Sequence, residues 1–77
     1  MAPSFADFRR VLGRNGFDLA RQGGNHEIWV RKDEGGAVVN RVPVSHGNAE
    51  IRTKRLFRDM LRQSGKSEEH FYEVLRG

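Results

Sequence analysis

The sequence contains no cysteine, and this absence excludes several kinds of chemistry at once. Among its 77 residues there is no material for a disulfide, a thiolate nucleophile or a cysteine-based zinc site. No apolar run approaches the ~18 residues that a membrane-spanning helix needs, and the first residues lack the apolar segment of a signal peptide. We therefore expect a soluble, cytoplasmic protein with no membrane partner.

The chain is also short, and its length limits the kind of site it can build. A domain of this size buries only ~60% of the surface that its unfolded chain exposes, so its core is thin. A deep substrate pocket does not fit in such a core. We expect a single domain over residues 1–77, with any catalytic group on an open face.

Acidic residues are scarce in one part of the chain. The sequence has 14 lysines and arginines against 10 acidic residues, a net charge of +4. Between Arg52 and Lys66 there are six basic residues and one acid, Asp59, so this segment carries +5 and the rest of the chain −1. The positive charge is therefore local, which favours a polyanionic partner.

The hydrophobic pattern predicts an α+β fold in the order α-β-β-β-α-α, a three-stranded antiparallel sheet with helices on one face. Ser4 and Asp7 form a capping-box pattern before an amphipathic helix that ends at Asn15-Gly16. Strands are expected over three ranges separated by glycine-rich turns: Phe17 to Gln22, His26 to Lys32 and Ala37 to Val42.

Pro43 should end the third strand or place it at an edge, because proline cannot donate to a ladder. We expect a loop from Val44 to Glu50 and a second helix from about Arg52 to Ser64, stopped by Gly65. Ser67 can cap a short third helix over about residues 67–76.

Three stretches resemble motifs of HicA-type toxins, in the family's order. Gly24-Asn25-His26 resembles the Gly-Ser-His motif, which likewise follows one helix and one strand. The stretch VPVSHGNAEI (42–51) resembles the family's proline-histidine loop, and MLRQSG (60–65) resembles the end of its last main helix. The resemblance covers about residues 4–65, and Asn25 stands where the family has serine. Another departure is Arg55-Leu56-Phe57, where Gly-Thr-Leu often opens the family's second helix.

This resemblance implies a fold like the double-stranded-RNA-binding domain and ribosome-independent cleavage of messenger RNA. It also implies neutralisation by a cognate antitoxin of the HicB type. Carried over to this sequence, the catalytic histidine is His26.

Elementary chemistry makes one histidine sufficient for RNA cleavage. RNA carries its own nucleophile, the 2′-hydroxyl beside each phosphate, and an imidazole can remove that proton near neutral pH. Nearby lysine or arginine would stabilise charge in the transition state. No metal or cofactor is needed, and His26 and His46 together lack the third ligand of a metal site.

Each candidate residue also has a structural interpretation. His26 alternates with Ile28 and Val30 and could be a partly buried strand residue, while His46 could assist catalysis, contact substrate or be a solvated loop residue. Trp29, on the face of Glu27 and Arg31, could stack on a base, or pack beneath a loop or against an antitoxin. His70 is expected to be structural or at the surface. We assign substrate contacts to six residues: Asn25, Trp29, His46, Arg55, Arg58 and Arg62.

Two other functional classes stay open at this point. The basic stripe on the second helix, spaced i, i+3, i+7, suits a phosphate backbone but could be a solvated helix face. A non-catalytic RNA-binding module of the same fold would bind RNA without cutting it. A protein-interaction domain would use Trp29 and the C-terminal helix and would have no affinity for nucleic acid.

Overall fold

Three helices and one sheet account for most of the chain in a computed structural model, which describes residues 2–77. The elements are α1 (Phe5–Arg14), β1 (Asp18–Gly23), β2 (His26–Lys32), β3 (Val38–Ser45), α2 (Lys54–Ser64) and α3 (Glu68–Arg76). The strands are antiparallel in the order β1-β2-β3. The predicted α+β order is therefore confirmed.

The helix ends follow from their capping residues. Ser4 Oγ accepts a hydrogen bond from the Asp7 amide and Asp7 Oδ2 accepts one from the Ser4 amide, each at 3.0 Å, so the predicted capping box is present. Thr53 Oγ1 accepts from the Leu56 amide at 3.1 Å, which starts α2 two residues later than expected. Gly65 ends α2 with a φ of +73°, a left-handed conformation that glycine adopts without steric cost.

Pro43 lies inside β3, and the prediction of a loop from Val44 onward is wrong for its first two residues. Pro43 pairs with Ile28, and the strand continues through Val44 to Ser45. β3 is an edge strand, so one side of its backbone has no ladder partner and proline is tolerated there. Burial of Val44, which is fully inaccessible to solvent, favours this longer strand.

The helices cover the sheet face that carries Trp29, Val42 and Val44. Trp29 is paired with Val42, and paired residues share a face of the sheet. Val42 and Val44 belong to the hydrophobic core, and Trp29 packs against it while partly buried. The opposite face carries the alternating set His26, Ile28 and Val30, of which His26 is exposed, Ile28 is partly buried and Val30 is buried.

Three phenylalanines, one from each helix, form the centre of the core. Phe8, Phe57 and Phe71 are at most 7% exposed, and their ring centroids lie 5.1–6.1 Å apart. α3 packs on α1. The third helix is thus part of the core, and none of the helices within residues 2–77 is long and apolar enough to cross a membrane.

Candidate active site

His26 stands at the turn end of the β1–β2 hairpin. It begins β2 directly after the two-residue turn Gly24-Asn25, and it pairs with Gly23 on one side and Ser45 on the other. Gly24 has a φ of +56°, so the tight turn needs a residue that tolerates the left-handed region. His26 is exposed, which leaves its imidazole free to meet a ligand from solvent.

Two arginines share an open cleft with His26. The cleft has a volume of about 340 Å³, and His26 and Ile28 lie in it between Arg21 of β1 and Arg41 of β3, beside Gly23 and Gly24. Both arginines are exposed, and neither forms an ion pair within residues 2–77. The cleft therefore combines an imidazole with two uncompensated positive charges.

Neither arginine is evident as a site residue from the sequence, and for Arg21 the reason is the sheet register. Leu19 pairs with Trp29, but Arg21 pairs with Ile28, because a β-bulge at the residue between them shifts the register. Simple alternation would have placed Arg21 on the face of Leu19, away from His26. Counting back from the turn would have found it, since a two-residue turn sets Gly23 opposite His26.

The other face of β2 carries a polar cluster around Glu27. Its carboxylate accepts hydrogen bonds from Trp29 Nε1 at 3.1 Å and from Gln22 Nε2 at 3.4 Å. His46 Nδ1 lies 3.4 Å from Glu27 Oε2. Since Glu27 and His26 are adjacent in the strand, His46 and Trp29 lie on the opposite face of the sheet from the His26 cleft.

Arg9 of α1 fastens the loop that follows β3. Its Nη1 donates to the Ser45 carbonyl at 3.1 Å, and its Nη2 donates to the Gly47 carbonyl and to Asn48 Oδ1, both at 2.7 Å. Its Nε also lies 3.9 Å from Glu27 Oε1. Because Ser45 pairs with His26, Arg9 indirectly fixes the end of the sheet where His26 stands.

The loop is tied to the hairpin turn as well. The amide of His46 donates to the carbonyl of Asn25 at 3.2 Å. Asn25 is therefore held through its backbone, and its exposed side chain makes no hydrogen bond within the described residues.

The electrostatics of the Glu27 cluster favour an ionised carboxylate. Partial burial by itself raises the pKa of Glu27. Hydrogen bonds from Trp29 and Gln22 act in the opposite direction, and so do the charges of Arg9 and of protonated His46. The balance holds the pKa of Glu27 below its ordinary value of 4.5.

The predicted basic stripe on α2 does not reach the His26 cleft. Its three arginines are exposed, and Arg62 is paired with Asp59 at 3.1 Å. A second cleft of about 210 Å³ joins His26 to α2, but the α2 residues that line it are Leu56, Asp59, Met60 and Gln63. Successive residues are about 100° apart around a helix, so the stripe of Arg55, Arg58 and Arg62 is rotated by roughly 100° from the α2 residues that line this cleft.

Two further residues have clear positions. His70 Nε2 is 2.7 Å from Asn15 Oδ1, which joins α3 to the end of α1. This contact gives His70 a structural role. Within residues 2–77 no three histidine or acidic side chains cluster closely enough to hold a metal ion.

Comparison with known proteins identifies a family. The sequence model of the family described as "HicA toxin of bacterial toxin-antitoxin" matches residues 5–66, which span α1, the sheet and α2. No curated protein matches the sequence. The match contains His26, Arg21 and Arg41, whereas α3 lies outside it.

Proposed function

This chain belongs to the HicA toxin family of bacterial toxin–antitoxin systems, and we propose that it is an endoribonuclease that cleaves messenger RNA in the His26 cleft. The observation that carries the proposal is the exposed imidazole of His26 in one cleft with Arg21 and Arg41. An imidazole is suited to proton transfer and the two arginines to a phosphate, so the cleft matches the needs of RNA cleavage.

In the proposed reaction, His26 acts as the general base. It takes the proton of a ribose 2′-hydroxyl, whose oxygen then attacks the adjacent phosphorus. The bond from phosphorus to the 5′-oxygen of the next nucleotide breaks, and that oxygen takes up a proton from the imidazolium or from water. The products are a 2′,3′-cyclic phosphate and a free 5′-hydroxyl, with no metal or cofactor consumed.

Arg21 and Arg41 supply the electrostatic part of this reaction. The attack adds negative charge to the phosphoryl oxygens, and guanidinium groups from the two strands that flank β2 can donate to those oxygens. Arginine also suits the geometry of a phosphate, because its planar fork donates two parallel hydrogen bonds.

We propose that the other predicted substrate-binding residues contact the RNA strand on either side of the bond that is cleaved. Asn25 follows Gly24, which lines the cleft, and its exposed amide side chain makes no hydrogen bond within residues 2–77. His46 is oriented through Nδ1 by Glu27, which leaves Nε2 for a substrate contact. Trp29 lies on the other face and partly in the core, so stacking on a base would need a strand that passes around the end of the hairpin.

The α2 stripe is proposed as an electrostatic surface that holds RNA outside the cleft. Arg55 and Arg58 form no ion pair within residues 2–77, in contrast to Arg62. As a member of a toxin–antitoxin family, the chain is expected to pair with an antitoxin of the HicB type, which would inhibit it by covering His26 or by blocking access of RNA.

The test is cleavage of a long single-stranded RNA in EDTA by the wild type, His26→Ala and His46→Ala. We expect the wild type to cut, His26→Ala to lose ~10²–10⁴-fold in rate, and His46→Ala to lose less, because His46 is proposed only as a substrate contact. A substrate with 2′-deoxy sugars should resist all three proteins. RNA binding by a wild type that does not cut would instead indicate the non-catalytic binding module, and equal cutting by all three would remove both histidines from the mechanism.

A further inference from the structure

A third cleft, of about 360 Å³, lies where the start of α2 meets α3. Arg52, Lys54 and Arg58 line it from α2 and the residues before it, and Glu68 and Tyr72 line it from α3. His26, Arg21 and Arg41 are not among its lining residues, so this cleft is separate from the proposed active site.

The cleft is positively charged, and its cations are uncompensated. Within residues 2–77, Arg52, Lys54 and Arg58 take part in none of the ion pairs, although Glu68 lines the same cleft. All three side chains are exposed. Three positive charges against one negative charge in a concave surface favour an anionic ligand such as a phosphate.

Tyr72 adds an aromatic surface held in a fixed position. Its ring packs edge-on against Phe71 at 5.2 Å and lies 6.1 Å from Phe57, both of which are buried in the core. Tyr72 itself is only partly buried, so part of its surface borders the cleft. A ring that is already immobilised loses little conformational entropy when a base stacks on it.

We propose that this cleft binds one nucleotide of an RNA strand, with the phosphate on Arg52, Lys54 and Arg58 and the base against Tyr72. The proposal rests on the proposed function, because it makes the cleft a second contact for the RNA that is cut at His26. Glu68 can accept a hydrogen bond from an exocyclic amino group, so adenine and cytosine should be favoured over uracil. Tyr72 and Glu68 lie beyond residues 5–66, so the match to the family does not supply this subsite.

The experiment measures RNA binding in the His26→Ala protein, so that the substrate stays intact. Two double substitutions are each introduced into this protein: Arg52→Gln with Lys54→Gln in the cleft, and Arg10→Gln with Arg76→Gln as the control. Fluorescence anisotropy measures the binding of a short, labelled single-stranded RNA to each. The control residues are exposed and lie outside the cleft, and their substitution removes the same charge.

We expect the cleft pair to weaken binding on the order of tenfold at 0.1 M salt and to reduce the slope of log K against log salt by about 1.4, the value for two phosphate contacts on a single strand. The control pair should change binding by less than about threefold. Equal losses in both pairs would overturn the proposal, because they would show a dependence on total charge alone.

The aromatic contact is tested with Tyr72→Ala and Tyr72→Phe. Loss of the ring should weaken binding by roughly 5- to 100-fold, whereas Tyr72→Phe keeps the ring and should bind as the parent does. Thermal unfolding of both variants shows whether the fold is intact. The proposed nucleotide subsite is wrong if Tyr72→Ala is folded and binds RNA normally. It is also wrong if the cleft variants bind RNA normally and lose affinity only for the antitoxin.

The two proposals fail in different ways. If the wild type does not cut RNA but the cleft variants still weaken RNA binding, the catalytic proposal fails and the nucleotide subsite stands. If the wild type cuts and the cleft variants bind as the parent does, only the subsite fails.

Discussion

The helical side of this protein and the sheet face that carries His26 differ in what their residues contact. On the helical side, Phe8, Phe57 and Phe71 are almost fully buried and touch one another across three helices. On the His26 face, His26 and Arg41 are exposed, and their side chains make no hydrogen bond within residues 2–77. Stability and the proposed chemistry therefore depend on different residues, and each can be changed while the other is measured.

The largest effect on stability is expected from Phe71→Ala. This substitution removes a ring from the centre of the core and leaves a cavity between Phe8 and Phe57, which should lower the free energy of unfolding by ~3–5 kcal/mol. Urea denaturation followed by circular dichroism measures the change. The control is Glu69→Ala, an exposed position on the same helix, where the change should stay within about 0.5 kcal/mol. A loss below about 1 kcal/mol for Phe71→Ala would show that α3 is dispensable for the core.

An intermediate effect is expected from Arg9→Ala, which connects the two regions. The substitution removes three hydrogen bonds to the loop after β3, with an expected loss of ~1–3 kcal/mol in unfolding free energy. Because the loop also holds the His26 end of the sheet, cleavage by the folded protein should slow as well. The exposed neighbour in Arg10→Ala is the matched control and should change neither quantity. An Arg9→Ala protein that is less stable but fully active would separate the two regions completely.

A smaller effect, visible only through pH, is expected from Glu27→Gln. Folding lowers the pKa of Glu27, so it favours the ionised carboxylate. The resulting stabilisation is complete above the ordinary pKa of 4.5 and is lost as the pH falls through the lower pKa of the folded protein. Unfolding midpoints of wild type and Glu27→Gln should therefore differ at pH 7 and approach each other near pH 3. A constant difference across that range would contradict the ionised cluster around Glu27.

The smallest effect on stability is expected from His26→Ala, which should have the largest effect on cleavage. The side chain is exposed and makes no hydrogen bond within residues 2–77, so the free energy of unfolding should change by no more than about 0.5 kcal/mol. Parallel denaturation curves with a loss of activity would sharpen the contrast between the two regions. A large destabilisation would mean that His26 is a structural strand residue.

The sequence was sufficient to predict features that depend on local chemistry. Ser4 with Asp7 and Gly65 define helix ends through contacts within a few residues, and these predictions are confirmed. Pro43 was harder to interpret, since its effect on a strand depends on whether that strand lies at an edge, which only the sheet order decides.

The site depended more strongly on non-local structure. His26 was predicted as a site residue because a turn and a family resemblance both mark it. Arg41 reaches the same cleft through the pairing of β2 with β3, and Arg9 acts across more than thirty residues of sequence. Neither the strand pairing of Arg41 nor the long-range contact of Arg9 produces a periodic pattern in the sequence. The stripe on α2 was predicted correctly as exposed, but its direction relative to His26 required the packing of the helix.

The contact between Phe8 and Phe71 has a consequence for how the protein is made. The two rings come from α1 and α3, so the first helix emerges from the ribosome long before its packing partner has been synthesised. Until then the nascent chain carries an incomplete hydrophobic core and lacks the cooperative stability of a finished domain. A chain built in this way completes its core only after most of its sequence has been translated.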